Sequence, residues 1–151
     1  MKLKFTHTNL VASDWKKLAR FYIDVFGCEP VYPERDIKGD WIDRVTNIKD
    51  VHIEGQHMRL PGYADGPTLE IFQYNSQNKS GGLSEINKPG FAHIAFSVED
   101  VHLLYQKLLD NGGGKLGELV EKEIAGLGTL TVVYARDPEG NIIEIQNWRQ
   151  G

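Results

Sequence analysis

Four polar side chains lie inside apolar segments that have the character of β-strands. They are His7 and Glu70 in the first half of the sequence and His93 and Glu144 in the second half. An ionised carboxylate in an apolar strand is strongly unfavourable unless it is paired or bound to a metal. Two carboxylates neutralise a divalent ion, and imidazole is a good ligand for first-row transition metals. These residue types therefore predict a divalent metal site with coordination positions left open to water or substrate.

Each of these residues also has an ordinary structural explanation. His7 and His93, taken alone, are explained as strand histidines with a hydrogen-bond partner. Glu70 alone is explained as a carboxylate on a solvated sheet face, and Glu144 as the partner of Arg136. The metal site is the better hypothesis because the same arrangement occurs twice in register.

An internal repeat makes the two halves of the chain equivalent. In each half an Asp follows the His by seven positions, a Gly follows it by 20, and a second Gly precedes the Glu by four. The repeated positions are His7, Asp14, Gly27, Gly66 and Glu70, and then His93, Asp100, Gly113, Gly140 and Glu144.

Local patterns predict the same order of elements in each half. Apolar residues recur at helical spacing over 15–26, after a Ser13-Asp14 N-cap, and again over 101–109. Segments rich in β-branched and aromatic residues predict one strand before each helix and three after it. The predicted strands are 5–11, 29–32, 51–60 and 68–74, then 91–98, 116–120, 130–135 and 141–146.

The fold class that follows is α+β, with two βαβββ modules and eight strands in one domain that covers residues 1–151. The modules span about 1–75 and 90–148 and are joined by a polar linker. An insertion over 41–48 predicts a short amphipathic helix that either caps a cleft or covers an edge strand.

Composition excludes several classes of protein. The 151 residues carry a net charge of −4 with no basic stripe, so we expect no nucleic-acid partner. The longest apolar run is four residues, 132–135, and the N-terminus has no signal-peptide pattern, so we expect no membrane span. The single cysteine, Cys28, fits a reducing, cytoplasmic location.

The remaining polar residues are weaker candidates. His52, His57 and His102 are expected to be solvated. Arg59 and Arg136 are expected in structural ion pairs, with binding of a substrate anion as the alternative.

Four strings in the sequence resemble the vicinal oxygen chelate superfamily, which contains glyoxalases, bleomycin-resistance proteins and extradiol dioxygenases. The resemblance covers nearly the whole chain, apart from the insertion near residue 41 and the linker. The strings are HTNL at 7–10, FYIDVFG at 21–27, GFAHIAF at 90–96 and DPEGNIIE at 137–144.

The resemblance implies that the two modules form an eight-stranded incomplete barrel around a divalent metal. A His-Glu-His-Glu set is similar to that of glyoxalase I, which implies His7, Glu70, His93 and Glu144 as metal ligands. It also implies Glu144 as the base that moves a proton on a chelated hemithioacetal through an enediolate, with Glu70 as a second catalytic carboxylate. The implied metal is Ni, Zn, Co, Mn or Fe, the partner is a small-molecule substrate, and the assembly is a homodimer.

Two other functions remain open at this point. Methylmalonyl-CoA epimerase uses similar machinery, so an acyl-CoA or hydroxy-acid epimerase is one alternative. A non-catalytic binding protein of the bleomycin-resistance type is the other. Glyoxalase I usually has two arginines for glutathione where this sequence has Asp24 and Lys88-Pro89, so the identity of the thiol also stays open.

Overall fold

Each half of the chain builds its own mixed β-sheet in a computed structural model that describes all 151 residues. The chain divides into two units, Met1–Lys79 and Ser80–Gly151, which we call the first and the second module. Three helices and nine strands are present, and the predicted α+β class is confirmed. Both sheets are open, since no hydrogen-bonded pair joins the outer strands of either one.

The first module contains four strands and two helices. The sheet order is β1-β4-β3-β2, with β1 parallel to β4 and the other pairs antiparallel. The elements are β1 (His7–Val11), α1 (Trp15–Phe26), β2 (Glu29–Lys38), α2 (Asp40–Thr46), β3 (His52–Arg59) and β4 (Thr68–Tyr74).

Helix α1 begins and ends where the sequence predicts. The Asp14 side chain accepts a hydrogen bond from the Lys17 backbone N–H at 3.1 Å, which satisfies one of the free donors of the first turn. Gly27 ends the helix in the left-handed conformation, with φ of 68°. The apolar side of α1 packs on β3 and β4 and buries Leu18 and Tyr22 completely. This packing fixes β3 and β4, the strands that carry His57 and Glu70.

The insertion helix α2 packs against β2, which is an edge strand of its sheet. Ile42 is 7% exposed and clusters with Val51 and Ile53. Of the two roles considered for this helix, the contacts correspond to the covering of an edge strand.

The second module repeats the plan of the first. The sheet order is β5-β9-β8-β6, and β7 also pairs with β8. Asp100 caps α3 as Asp14 caps α1, by accepting from the Leu103 backbone N–H at 2.9 Å. The elements are β5 (His93–Ser97), α3 (Val101–Asp110), β6 (Gly114–Lys115), β7 (Val120–Ile124), β8 (Gly128–Arg136) and β9 (Ile142–Arg149).

The prediction of one strand over 116–120 is wrong. Two strands, β6 and β7, pair with the same neighbour, β8, and the chain between them leaves the ladder. In the first module β2 pairs with β3 on both sides of a break between Val31 and Arg35. The two strands of the second module therefore take the place of β2, and the predicted segment coincides with the interruption. Strand β2 itself is longer than predicted and reaches Lys38.

None of the three helices is long and apolar enough to cross a membrane.

Candidate metal centre

The strand register places the polar residues of the first module side by side. Glu70 lies on β4 between its two cross-strand neighbours, Asn9 on β1 and His57 on β3. His7 is two residues before Asn9 and pairs with Thr68, so it lies on the same face of the sheet, one step from Glu70. Three strands therefore direct two imidazoles and a carboxylate to one place.

The side chains of this cluster are in contact. The Nε2 atom of His57 is 2.6 Å from Oε2 of Glu70, and Nε2 of His7 is 3.5 Å from Oε1. The Asn9 amide donates to Oε1 of Glu70 at 2.8 Å. Glu70 is only 8% exposed, so the alternative explanation of this residue as a carboxylate on a solvated sheet face does not hold.

His57 was expected to be solvated, and this expectation is also wrong. Its side chain is 17% exposed and lies between Glu70 and Thr68, whose hydroxyl is 2.8 Å from Nδ1. Because an ionised carboxylate can only accept, Nε2 of His57 donates to Glu70, and Nδ1 of the neutral ring accepts from Thr68. The signal that finds His57 is the register of the hairpin formed by β3 and β4, which pairs residue 57 with residue 70.

Burial has the largest effect on the protonation of His57. It lowers the pKa of the imidazole, and it outweighs the opposing attraction of the Glu70 carboxylate; Arg35 and His7 lower the pKa further. The ring of His57 is therefore neutral near pH 7, which is the form that binds metals. Burial, followed by the charge of Glu70, also raises the pKa of the neighbouring Tyr74.

The second module has the same register, but different residues flank its glutamate. Ala95 and Tyr134 flank Glu144, as Asn9 and His57 flank Glu70. The Nε2 atom of His93 is 3.0 Å from Oε2 of Glu144, and its ring meets the ring of Tyr134 edge to face at 5.1 Å. Burial, the charge of Glu144 and a hydrogen bond to it raise the pKa of Tyr134. The phenol therefore stays protonated at neutral pH and donates to Glu144.

In each module the structure places the candidate histidine in contact with the candidate glutamate. His7 contacts Glu70 in the first module, and His93 contacts Glu144 in the second. Arg136 does not pair with Glu144 but donates to the Gly140 carbonyl at 2.8 Å. That these four residues bind one shared ion remains a prediction.

The other candidate residues have structural partners or are exposed. Arg59 pairs with Glu29 at 2.9 Å, as expected of a structural ion pair. His52 contacts Asp36, so it is not simply solvated, whereas His102 is exposed on α3 as expected.

The donor chemistry fits a divalent transition metal. Donor atoms of His7, His57 and Glu70 all lie within 4.8 Å of one another. Imidazole nitrogens with a carboxylate oxygen form a common ligand set for zinc, iron and related ions. A carboxylate also supplies the negative charge that a divalent ion requires.

Comparison with known proteins identifies close structural counterparts. The profile of the Glyoxalase/Bleomycin resistance protein/Dioxygenase superfamily matches residues 4–145. A glyoxalase family protein from Bacillus cereus superposes with a TM-score of 0.84 at 20% identity, over 100% of this chain and 97% of that chain. A glyoxylase/bleomycin resistance protein/dioxygenase domain from Frankia sp. EAN1pec has a TM-score of 0.64 at 19% identity, over 100% and 96% of the two chains.

A glyoxalase family protein from Enterococcus faecalis has a TM-score of 0.61 at 20% identity, over 95% of this chain and 96% of its own. At these identities the solved structures indicate the fold and not the activity. A search of curated proteins finds no match to the chain.

Proposed function

Because the chain belongs to the glyoxalase/bleomycin resistance protein/dioxygenase superfamily, we propose that it is a divalent-metal-dependent lyase or isomerase of the glyoxalase I type. Its reaction moves a proton between neighbouring carbons of a hemithioacetal, a small molecule formed from an aldehyde and a thiol. We place the enzyme in the cytoplasm and expect a homodimer.

One observation carries the proposal. In each module, a histidine on the first strand contacts a glutamate on the last strand. His7 with Glu70 and His93 with Glu144 supply the two imidazoles and two carboxylates of the proposed ligand set. A bound divalent ion would act as a Lewis acid and stabilise the negative charge that develops on the substrate oxygens.

Glu144 is the proposed base. Its carboxylate contacts His93 and accepts a hydrogen bond from the Tyr134 hydroxyl. These two contacts hold the carboxylate on the face of β9 and leave it able to accept a proton from carbon. Glu70 is held by Asn9 and His57 in the first module and is the proposed second carboxylate of the proton transfer.

The test is turnover of hemithioacetals by Glu144→Gln. We expect kcat/KM to fall by at least about a hundredfold, because general base catalysis typically contributes about 10² to 10⁴. The matched control is Glu123→Gln, at an exposed carboxylate on β7. The substrates are methylglyoxal combined with several thiols, and the preparation is loaded in turn with Ni, Zn, Co, Mn and Fe.

The alternative functions predict different experimental results. Turnover of acyl-CoA thioesters in place of hemithioacetals identifies an epimerase. Tight binding of an aromatic ligand that Glu70→Ala and Glu144→Ala leave unchanged identifies a binding protein. Absence of bound metal after metal-replete purification contradicts all metal-dependent reactions considered for this protein.

A further inference from the structure

Arg35 lies on the face of the first sheet that carries the candidate metal centre. It is opposite Gly55 of β3, and Gly55 is two residues from His57, so all three lie on one side of the sheet. We propose that Arg35 binds a carboxylate on the thiol part of the substrate. This inference rests on the proposed function and names its substrate class, which is hemithioacetals of thiols that bear an acid group.

An irregularity of β2 places Arg35 at this position. The ladder pairs Val31 with His57 and next Arg35 with Gly55, so β2 advances by four residues where β3 advances by two. In a regular ladder Pro33 would lie opposite Gly55. Bulges of this kind redirect side chains and are common beside active sites. Here the bulge puts a guanidinium, in place of a proline ring, next to the row of the sheet that contains His57.

Arg35 has no carboxylate partner within the chain. It is partly buried, and its Nη1 donates to the Pro33 carbonyl. The adjacent Asp36 faces the other side of the sheet, where it contacts His52. A partly buried cation without a counterion is unfavourable, so an anion that reaches Arg35 is stabilised there. The arginines that do form ion pairs are Arg20, Arg44, Arg59 and Arg149.

The positive charge of Arg35 acts on the candidate metal centre. Burial has the largest effect in lowering the pKa of His57, and the charge of Arg35 lowers that pKa further. Diagonal neighbours on adjacent strands, such as these two residues, lie about 7 to 8 Å apart, which is within reach of long side chains. An anion bound by Arg35 therefore lies beside the proposed reaction site.

The guanidinium group suits a carboxylate in particular. Its planar fork donates two parallel hydrogen bonds to the two oxygens of an acid group. It has five N–H donors, and the bond to the Pro33 carbonyl uses Nη1 and holds the group in place. The remaining donors are available to a ligand.

The order of side chains across the sheet indicates which part of the substrate reaches Arg35. The row of Arg35 is otherwise apolar and continues through Gly55, Phe72 and Val11, and the row of Glu70 lies directly beside it. In the proposed reaction the oxygens of the aldehyde part bind the metal, so this part stays in the row of Glu70. The thiol part extends from there, over apolar residues, to Arg35.

The row on the opposite side of Glu70 does not offer an equal site. It contains Arg59, whose Nη1 is 2.9 Å from a carboxylate oxygen of Glu29. That charge is already neutralised, which leaves Arg35 as the cation available to a substrate on this face.

The test compares hemithioacetals that methylglyoxal forms with mercaptoacetate, mercaptoethanol and cysteamine. These thiols are alike in size and end in a carboxylate, a hydroxyl and an ammonium group. With equal hemithioacetal concentrations and metal-loaded full-length protein, we expect kcat/KM to be at least about tenfold higher for mercaptoacetate than for mercaptoethanol, since a charged hydrogen bond contributes about ten- to a hundredfold. Cysteamine is expected to be the poorest substrate because Arg35 repels its ammonium group.

Variants of Arg35 should change this preference and little else. In Arg35→Met we expect kcat/KM for mercaptoacetate to fall at least about tenfold, and that for mercaptoethanol to stay within about threefold of the wild type. Arg35→Lys keeps the charge without the fork and should keep part of the preference. Circular dichroism checks that the variants fold.

The matched control is Arg59→Met, which removes an arginine from the same face of the same sheet. Because Glu29 already neutralises Arg59, this variant should keep the full preference for mercaptoacetate. The inference is overturned if the wild type does not prefer the acidic thiol, if Arg35→Met keeps the preference, or if Arg59→Met loses it.

A binding measurement separates this inference from the proposed function. Methylthioacetate and methylthioethanol have the same end groups but cannot form hemithioacetals. In isotope-labelled protein the Arg35 Nε–H nuclear magnetic resonance signal, identified by its absence in Arg35→Met, should shift with methylthioacetate and not with methylthioethanol. Such a shift without turnover of any hemithioacetal rejects the proposed function and leaves the carboxylate subsite. Turnover without the shift and without preference for mercaptoacetate rejects the subsite and leaves the proposed function.

Discussion

At the scale of single residues, the buried carboxylate of Glu70 explains the polarity of the strands around it. At 8% exposure it cannot be satisfied by water alone, and it contacts Asn9, His57 and His7. Breaking one side of such a buried pair is costly because the remaining group is left without a partner. His7 and Asn9 on β1 and His57 on β3 therefore belong to one arrangement around Glu70.

The sequence predicts part of this arrangement and not all of it. His7 and Glu70 are recognisable because they repeat as His93 and Glu144. His57 has no such signal, because its counterpart is a tyrosine and its approach to Glu70 depends on the register of a hairpin. A shift of one residue in that register would direct His57 to the other face of the sheet.

Cys28 gives a prediction that concerns pH. Burial raises the pKa of this thiol to about 12, from an ordinary value of 9.0. The unfolded chain loses the thiol proton above about pH 9, whereas the folded chain keeps it, so the free energy of unfolding falls as pH rises from about 9 towards 12. We expect this fall to be smaller in Cys28→Ala, measured by urea denaturation at pH 8 and pH 10.5.

A thiol reagent provides the control for that measurement. At pH 8 the native protein is expected to be unreactive, and the urea-unfolded protein is expected to react with one equivalent. Rapid labelling of the native chain would contradict the assignment of a buried, protonated thiol.

At the scale of elements, the helices are predicted well, whereas β2, β6 and β7 are predicted poorly. Helix α1 has a complete apolar stripe, an aspartate cap and a terminal glycine, and each of these signals is local. The interruption between β6 and β7 is set by pairing with β8 on the far side of a turn. The sequence of residues 116–120 alone therefore does not predict where the pairing breaks. Strand pairing is a non-local property, and this is where prediction from pattern alone fails.

Close approach of strands gives a prediction for Gly55 on β3. A Cβ at this position would lie 2.0 Å from the Ile71 carbonyl oxygen and 2.8 Å from Cδ1 of Phe72. Since the nearest obstacle is backbone, Gly55→Ala should destabilise the protein by about 1 to 3 kcal/mol or more. Thermal denaturation should show a fall in Tm of several degrees, at about 2 to 4 °C per kcal/mol.

Gly117→Ala is the matched control, because its Cβ would meet nothing within 4 Å and its φ is not in the left-handed region. A similar Tm for the two variants would mean that β3 and β4 separate more easily than the structure indicates.

At the scale of the whole molecule, metal binding should increase the thermal stability of the protein. A ligand at a hundred times its Kd stabilises the native state by about 2.7 kcal/mol. For a chain of this size we expect an increase in Tm of about 5 to 10 °C on addition of the preferred ion. Differential scanning calorimetry before and after addition of a chelator measures it.

The variant Glu70→Gln serves as the comparison in that experiment. It keeps the shape of the side chain but lacks the charge, so its Tm should respond little to the ion. An equal increase in Tm for both proteins would show that the ion binds elsewhere.

The shared register of the two sheets also bears on how duplicated proteins diverge. Two copies that begin alike can specialise, and in this chain the divergence at the donor positions is confined to His57 and Tyr134. The substitution Tyr134→His would give the second module the same donor types as the first, and the ion stoichiometry should rise from one towards two per chain. The second affinity should be the weaker of the two, because Ala95 and Ile142 replace the supporting Asn9 and Thr68. Elemental analysis of the variant measures the number of ions bound per chain. An unchanged number would show that the supporting side chains matter as much as the donors.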